Sequence, residues 1–371
     1  MKTQNSPKGE SATSASARTV FQRLEVVMRS VAPAPCIALE PDRRSADIQS
    51  FESELRRRIV GQDHAIDSLV SAFQGVRAGL VPGRRPIRNF LFLRPTGSGK
   101  TRSVEAVAEI LFGRPEAIIK IDCGEFQHSH EISKLVGSPP GYIGHRETPA
   151  MLSQARLDEC HTAGLKLTLV LFDEIEKANE ALWQLLLGIL DKAILTLGDN
   201  QQVDFSKTMV FMTSNLGASE MQHAAEGPIG FGNNIDSSQE NLTTIAINAA
   251  RKRFSPEFLN RLDEILVFHP LRASQLRQVV AMEIERLESR LKQATGSEIN
   301  LRLSDHAVDF LLERGTDGRY GARHLKRVLE KYLVFPFSSL IETQQMGSAG
   351  RLNVGLDRST QKLTFCKQAM A

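Results

Sequence analysis

RPIRNFLFLRPTGSGKT, residues 85–101, decides the architecture. Phe90, Leu91, Phe92 and Leu93 form an unbroken apolar run, as expected of a strand buried on both faces of a parallel sheet. The run feeds a glycine-bearing turn, and Val104, Val107, Ala108 and Leu111 then recur at helical spacing. Strand, turn and helix in this order are the context in which a phosphate-binding loop works. Gly97 and Gly99, set among Pro95, Thr96 and Ser98, let backbone N–H groups turn inward around phosphates. Lys100 is placed to reach the β and γ phosphates, and the Thr101 hydroxyl to bind Mg²⁺, so ATP with Mg²⁺ is the expected ligand. Arg94 stands where the motif expects its first glycine, which weakens the match at that position.

Working outward, further β-rich runs appear at 118–121, 168–172, 208–212 and 265–268, separated by helical or mixed segments. They predict a parallel sheet covered by helices. The run TLVLFDE, residues 168–174, delivers two carboxylates at the end of a buried strand, where doubly wound sheets place their ligands. Asp173 is expected to orient Mg²⁺ and its waters, and Glu174 to polarise an attacking water. After His269-Pro270 the pattern turns helical, with a long amphipathic stretch at 276–291, two more candidates at 305–314 and 322–334, and a turn-rich tail with short strand candidates. Residues 1–18 are polar and low in complexity, and 19–50 read as an arm or linker.

The 371 residues suit two or three domains, and 41% hydrophobic with 24% charged residues is a globular balance. A net charge of +3 is too small to argue for nucleic acid. Cys36, Cys123, Cys160 and Cys366 form no CxxC pair, which speaks against a zinc site or disulfide framework and fits a reducing cytoplasm. No apolar run approaches the ~18 residues of a membrane helix.

From about residue 55 onward the sequence resembles the C-terminal ATPase ring of Clp-type AAA+ unfoldases and disaggregases. The landmarks are VGQDHAI, the phosphate loop, GSPPGYIG, VLFDEIEKA, ILDKAILT, VDFSKTMVFMTSNLGA, FSPEFLNRLDEILVF and RYGARHLKRVLE. The resemblance implies that Val60 packs near the adenine and that Asn215 is a sensor positioning the attacking water. It implies that Arg261 is an arginine finger supplied to a neighbouring subunit, and that Arg323 is a second sensor reaching the γ-phosphate from a small domain. A finger needs a neighbour, so a homo-hexameric ring acting on protein substrates is expected.

GSPPGYIGHRE resembles the family's central-pore loop, in which Tyr142 would grip an extended polypeptide and Ile143 add an apolar contact. A second pore loop is expected near residues 192–200. Ile229, Gly230 and Phe231 resemble the tripeptide by which some members dock on a Clp-type peptidase.

The expected fold is α/β: an AAA+ P-loop doubly wound parallel sheet with a smaller, mostly helical α+β lid. The expected divisions are an arm at 1–50, a nucleotide-binding domain at 51–269, a lid at 270–360 and a tail at 361–371. An ATP-dependent unfoldase, alone or feeding a peptidase, is the leading reading. A weakly hydrolysing nucleotide-binding scaffold is the alternative from another class.

Overall fold

Strand β1, Arg88–Leu93, lies between two layers of helix, and its alternate side chains enter two separate cores. Phe90 and Phe92 point to one side, Leu91 and Leu93 to the other, and all four are fully buried. This is why the run is apolar without alternation: both faces of the strand are covered. Strands β3 (Thr168–Asp173) and β6 (Thr208–Ser214) divide in the same way, Leu169, Leu171, Met209 and Phe211 facing one core and Val170, Phe172, Val210 and Met212 the other.

The computed structural model describes residues 39–93, 99–138, 150–225, 235–315, 321–346 and 350–367. The chain divides into Met1–Ser45 and Ala46–Ala371. Of the first unit only 39–45 are described, a turn in which the Arg43 N–H donates to the Glu40 carbonyl at 3.1 Å. In the second unit, β2 (Ile119–Asp122), β3, β6, β1 and β7 (Glu264–Val267) lie side by side in that order, every neighbouring pair parallel. That is the doubly wound sheet the sequence predicts.

Helices α1 (Ala46–Arg58), α2 (Asp63–Arg77) and α3 (Lys100–Phe112) cover the phenylalanine face through Ile48, Phe51, Leu55, Ile66, Leu69, Val104 and Val107. Helices α4 (Glu180–Lys192) and α5 (Ile235–Arg253) cover the other through Leu182, Leu186, Ile189, Leu242 and Ala246. Each large apolar side chain so buried contributes about 1.5–3 kcal/mol. The expected division at residue 50 falls inside α1. Ile48 and Phe51 are both buried in the phenylalanine core, so the helix belongs to the nucleotide-binding unit from Ala46.

The smaller part is helical with one three-stranded sheet, its core formed by α6 (Ala273–Thr295), α7 (Asp305–Gly315), α8 (Gly321–Leu329), α9 (Phe335–Glu342) and strands β8 (Asn300–Leu303), β9 (Arg351–Asp357) and β10 (Lys362–Lys367). Two features differ from expectation. The helix predicted to stop at 334 passes through a π turn, Glu330–Val334, and continues to Glu342. Pro336 has no N–H to give to the preceding turn, and the wider turn before it accommodates that loss. The segment from 361 is also not a separate tail: β10 pairs antiparallel with β9, and Leu363 and Phe365 pack on the small core.

Between β4 (Ile194–Thr196) and β5 (Gln202–Asp204) the chain forms an antiparallel hairpin. Gly198 on that hairpin donates its N–H to Val136 at 2.8 Å, and a Cβ there would lie 2.5 Å from the Gly137 carbonyl oxygen. The hairpin is thereby tied to residues 136–137. Among the described residues no helix is long and apolar enough to cross a membrane.

Candidate active site

Parallel strands leave their C-terminal ends on one edge, and the chain crowds its polar residues there. The register sets Phe172 opposite Met212, so the next residues, Asp173 and Thr213, are neighbours. The Thr213 hydroxyl hydrogen-bonds the Asp173 carboxylate. Thr101, in the first turn of α3, donates to the other oxygen of Asp173 at 3.5 Å, and the Lys120 ammonium lies 3.2 Å from that oxygen.

Glu174 follows with φ at +58°, a left-handed conformation that costs a non-glycine residue about 1–2 kcal/mol. Its N–H donates to Thr213 Oγ1 at 3.0 Å, which helps hold the turn. The side chain is gripped from two directions. Asn215 Nδ2 donates to it at 3.2 Å, and the Lys177 ammonium pairs with it. That hydrogen bond to Glu174 raises Lys177 above the ordinary lysine range.

Lys100 is buried, its ammonium donating to the Ser214 carbonyl and to Asn215 Oδ1, each at 2.6 Å. Asn215 therefore bridges Lys100 and Glu174, while its own N–H donates to Glu176 at 3.0 Å. An amide is suited to this position because it accepts and donates at once.

These groups line a cleft of about 410 Å³ together with Val60, Gly99 and Thr101. Gly99 has φ at +95°, the left-handed geometry that lets the turn swing into the N-terminus of α3. The opposite wall comes from the small part: Leu271, Val279 and Met282 give apolar surface, and Arg323 and Lys326 give cations. Hydroxyl and carboxylate oxygens from Thr101 and Asp173 match Mg²⁺, which is commonly held by one or two carboxylates and substrate phosphates.

The structure thus brings Val60, Gly99, Lys100, Thr101, Asp173, Glu174, Asn215 and Arg323 to one cleft. It does not bring Arg261 there. That guanidinium pairs with Asp191 and with Glu257, the latter at 3.3 Å, while its carbonyl accepts from Asn89 Nδ2 at 3.1 Å. Arg94, Pro95, Thr96, Gly97, Ser98, Tyr142, Ile143, Ile229, Gly230 and Phe231 lie outside the described residues. Sequence reasoning missed Lys120, Thr213, Leu271, Val279, Met282 and Lys326. Lys120 was legible as one of two outward-facing residues of a four-residue strand, and Val279 and Met282 as an i, i+3 pair beside the buried stripe of α6.

Two family models match in succession. Residues 85–265 match the AAA domain (Cdc48 subfamily), and residues 271–354 match the C-terminal, D2-small domain of ClpB protein. The chain belongs to the Clp-type AAA+ family. Among its Clp relatives, chaperone protein ClpB 1 of Thermosynechococcus vestitus is 39% identical over 86% of this chain and 34% of its own length. The ATP-dependent Clp protease ATP-binding subunit ClpC of Staphylococcus aureus is 38% identical over 88% of this chain and 39% of its own. The chain therefore spans little more than a third of these curated relatives. A Saccharomyces cerevisiae Hsp104:casein complex in an extended conformation superposes with a TM-score of 0.75 at 28% identity, over 88% of this chain and 53% of that one. A closed state of Hsp104 with ATPγS and FITC casein gives 0.72 at 29%, over 86% and 52%.

Proposed function

We propose that this chain is an ATP-hydrolysing ring module that unfolds proteins by drawing polypeptide through a central pore. The observation that carries the reading is the chain of contacts Lys100–Asn215–Glu174 beside Thr101–Asp173, at the strand ends of a cleft closed by the small part.

Lys100 exchanges its bonds to Ser214 and Asn215 for phosphate oxygens when ATP enters. Thr101 and Asp173 would hold Mg²⁺, which would supply positive charge to offset that of the phosphates. Glu174 accepts a hydrogen bond from the attacking water and orients it, a role typically contributing ~10²–10⁴ in rate. Release of Lys100 frees the Asn215 amide to hold that water against phosphate. Arg261 acts on the cleft of a neighbouring copy, which its position outside its own cleft supports, in a ring read as a homo-hexamer. Arg323, on the small part, links nucleotide state to the angle between the two parts.

The ring grips substrate through Tyr142 and Ile143 in a cytoplasmic setting. The described cysteines, Cys123, Cys160 and Cys366, are free. Likeness to both a ClpB chaperone and a ClpC protease subunit supports protein remodelling. Ile229-Gly230-Phe231 supports delivery to a Clp-type peptidase.

A stable fluorescent protein carrying an unstructured tail tests this. Fluorescence should fall only with ATP, and Tyr142→Ala should abolish the loss while leaving phosphate release intact. Persistent fluorescence alongside full ATP turnover would contradict an unfoldase. With a Clp-type peptidase added, Phe231→Ala should stop degradation but spare ATP hydrolysis; unchanged degradation would refute the docking role of Phe231, and no degradation by the unsubstituted protein would leave the remodelling chaperone as the reading.

A further inference from the structure

The loop that carries Val60 toward the cleft also grips the connection between the two parts. Gln62 is the residue before α2, and its carbonyl accepts the helix's first bond, from Ile66 at 3.0 Å. A residue in this place commonly caps its own helix with its side chain. Gln62 does not. Its amide is buried and runs to a residue far along the chain, with Nε2 donating to the His269 carbonyl at 3.0 Å and Oε1 accepting the His269 N–H at 3.1 Å. One side chain thus satisfies both main-chain groups of a single peptide position.

His269 lies in the connection between the two parts. Phe268 still belongs to the sheet, its N–H donating to Leu93 at 3.0 Å, and α6 of the small part begins at Ala273. Pro270 fixes its own φ and restricts His269 to extended conformations, so a bond to His269 constrains a segment with little other freedom. A second contact reinforces the first. Gly61, at φ +70°, lies so close to Gln275 in the first turn of α6 that a Cβ would sit 2.5–2.9 Å from its amide. That amide is itself fixed, since Gln275 Oε1 accepts the Arg272 N–H at 2.8 Å. Val60, Gln62 and Leu271 all line the cleft, so the clamp sits in the wall of the site it would serve.

From this geometry we infer that Gln62 is a positioning residue: it fixes the hinge at His269 and so sets where the small part presents Arg323 to the cleft. The inference rests on the reading of the cleft as an ATP site. A nucleotide seated against residues 60–62 presses on the same loop that holds the hinge. The clamp therefore joins occupancy at the base end of the cleft to the placement of a cation at the phosphate end.

The test uses the full chain with Gln62→Met, which keeps the side chain's length and packing but removes both bonds, and Gln62→Glu, which keeps the acceptor and loses the donor. Hydrogen exchange of the peptide spanning 268–272 reads the clamp directly, because the His269 N–H is one of its two bonds. In Gln62→Met that peptide should exchange faster, and in Gln62→Glu by less because the His269 N–H keeps an acceptor, with the overall melting temperature little changed in either. ATP should still bind, while kcat falls about tenfold and KM moves little, the split expected when Arg323 is misplaced and the rest of the cleft is intact. His269→Ala should leave the peptide protected, since both bonds run to main chain. Wild-type protection in Gln62→Met, or wild-type kcat in the presence of lost protection, would overturn the inference. Failure of the unsubstituted protein to bind ATP would overturn the reading of the cleft instead, and the nucleotide-free exchange comparison would still decide the clamp.

Discussion

The two walls of the cleft are built by different physics. On one side the reactive groups sit at the ends of strands buried on both faces, where Phe172, Met212 and Leu93 anchor the residues that follow them. On the other side α6 and α8 belong to a small core closed by a three-stranded sheet whose strands alternate more buried with exposed positions, so one face is covered. The first wall fixes Asp173, Glu174 and Asn215 relative to one another. The second meets the first at the connection around His269, held by Gln62 and by the close approach of Gly61 to Gln275. The difference teaches that the chemistry can be rigid while the cation facing it is adjustable, which the proposed coupling of hydrolysis to movement would require.

The largest expected effect comes from a residue on neither wall. Arg261→Ala should reduce turnover by roughly 10³–10⁵ without loss of ATP binding. Mixing it with Glu174→Gln subunits should restore part of the rate, measured as phosphate release, because each partner then supplies what the other lacks. No restoration would mean that Arg261 does not act across a boundary, and the two walls would have to account for catalysis alone.

Next in size is a change on the rigid wall. Lys100→Ala should weaken ATP binding by roughly 10–100-fold, the usual worth of hydrogen bonds to a charged group, as read by a fluorescent analogue. Arg323→Ala on the adjustable wall should weaken it less and slow turnover more. Equal losses of affinity would erase the distinction between the walls.

Core substitutions sharpen the comparison through stability. Phe92→Ala and Phe337→Ala each remove a fully buried ring and should each cost about 3–5 kcal/mol. The first should destabilise the nucleotide-binding sheet, the second the small core, and calorimetry with hydrogen exchange would show which region opens. Loss of protection in both regions from either substitution would mean a single cooperative body.

The smallest effect is one of pH and belongs to the small sheet. Hydrogen bonds from the Ser359 hydroxyl and then Thr360 hold the Asp357 carboxyl down from 3.8 to about 2. A carboxyl depressed by folding contributes stability that is complete above its unfolded value and is lost as pH falls through its folded one. Acid titration of stability should therefore show a decline between about pH 4 and pH 2 that Asp357→Asn flattens. An identical slope in the variant would remove this contribution.

Much of this was legible in the sequence, and unevenly. The sheet was readable because residues buried on two faces must be apolar throughout, so 90–93 and 168–172 announce themselves without any partner in view. Lys100, Asp173 and Asn215 were readable because each ends or follows such a run. Thr213 was hidden inside its strand: a threonine in a buried run reads as a β-former, and only the parallel register sets it beside Asp173. The apolar wall of Leu271, Val279 and Met282 was hidden for another reason. A helix face at the edge of a core and a helix face lining a cleft have the same periodicity. The Gln62 clamp joins positions far apart in the chain, and nothing local in VGQD distinguishes an amide that caps its helix from one that reaches a hinge.

The central claim is that the strand-end groups split a nucleoside triphosphate. Phosphate release and bound nucleotide, followed together in the unsubstituted protein and in Glu174→Gln, test it most directly. The account predicts steady release by the former, and in the latter a rate lower by ~10²–10⁴ with ATP retained uncleaved on the protein. Equal release by the two, or none by the unsubstituted protein in its assembled form, would contradict it.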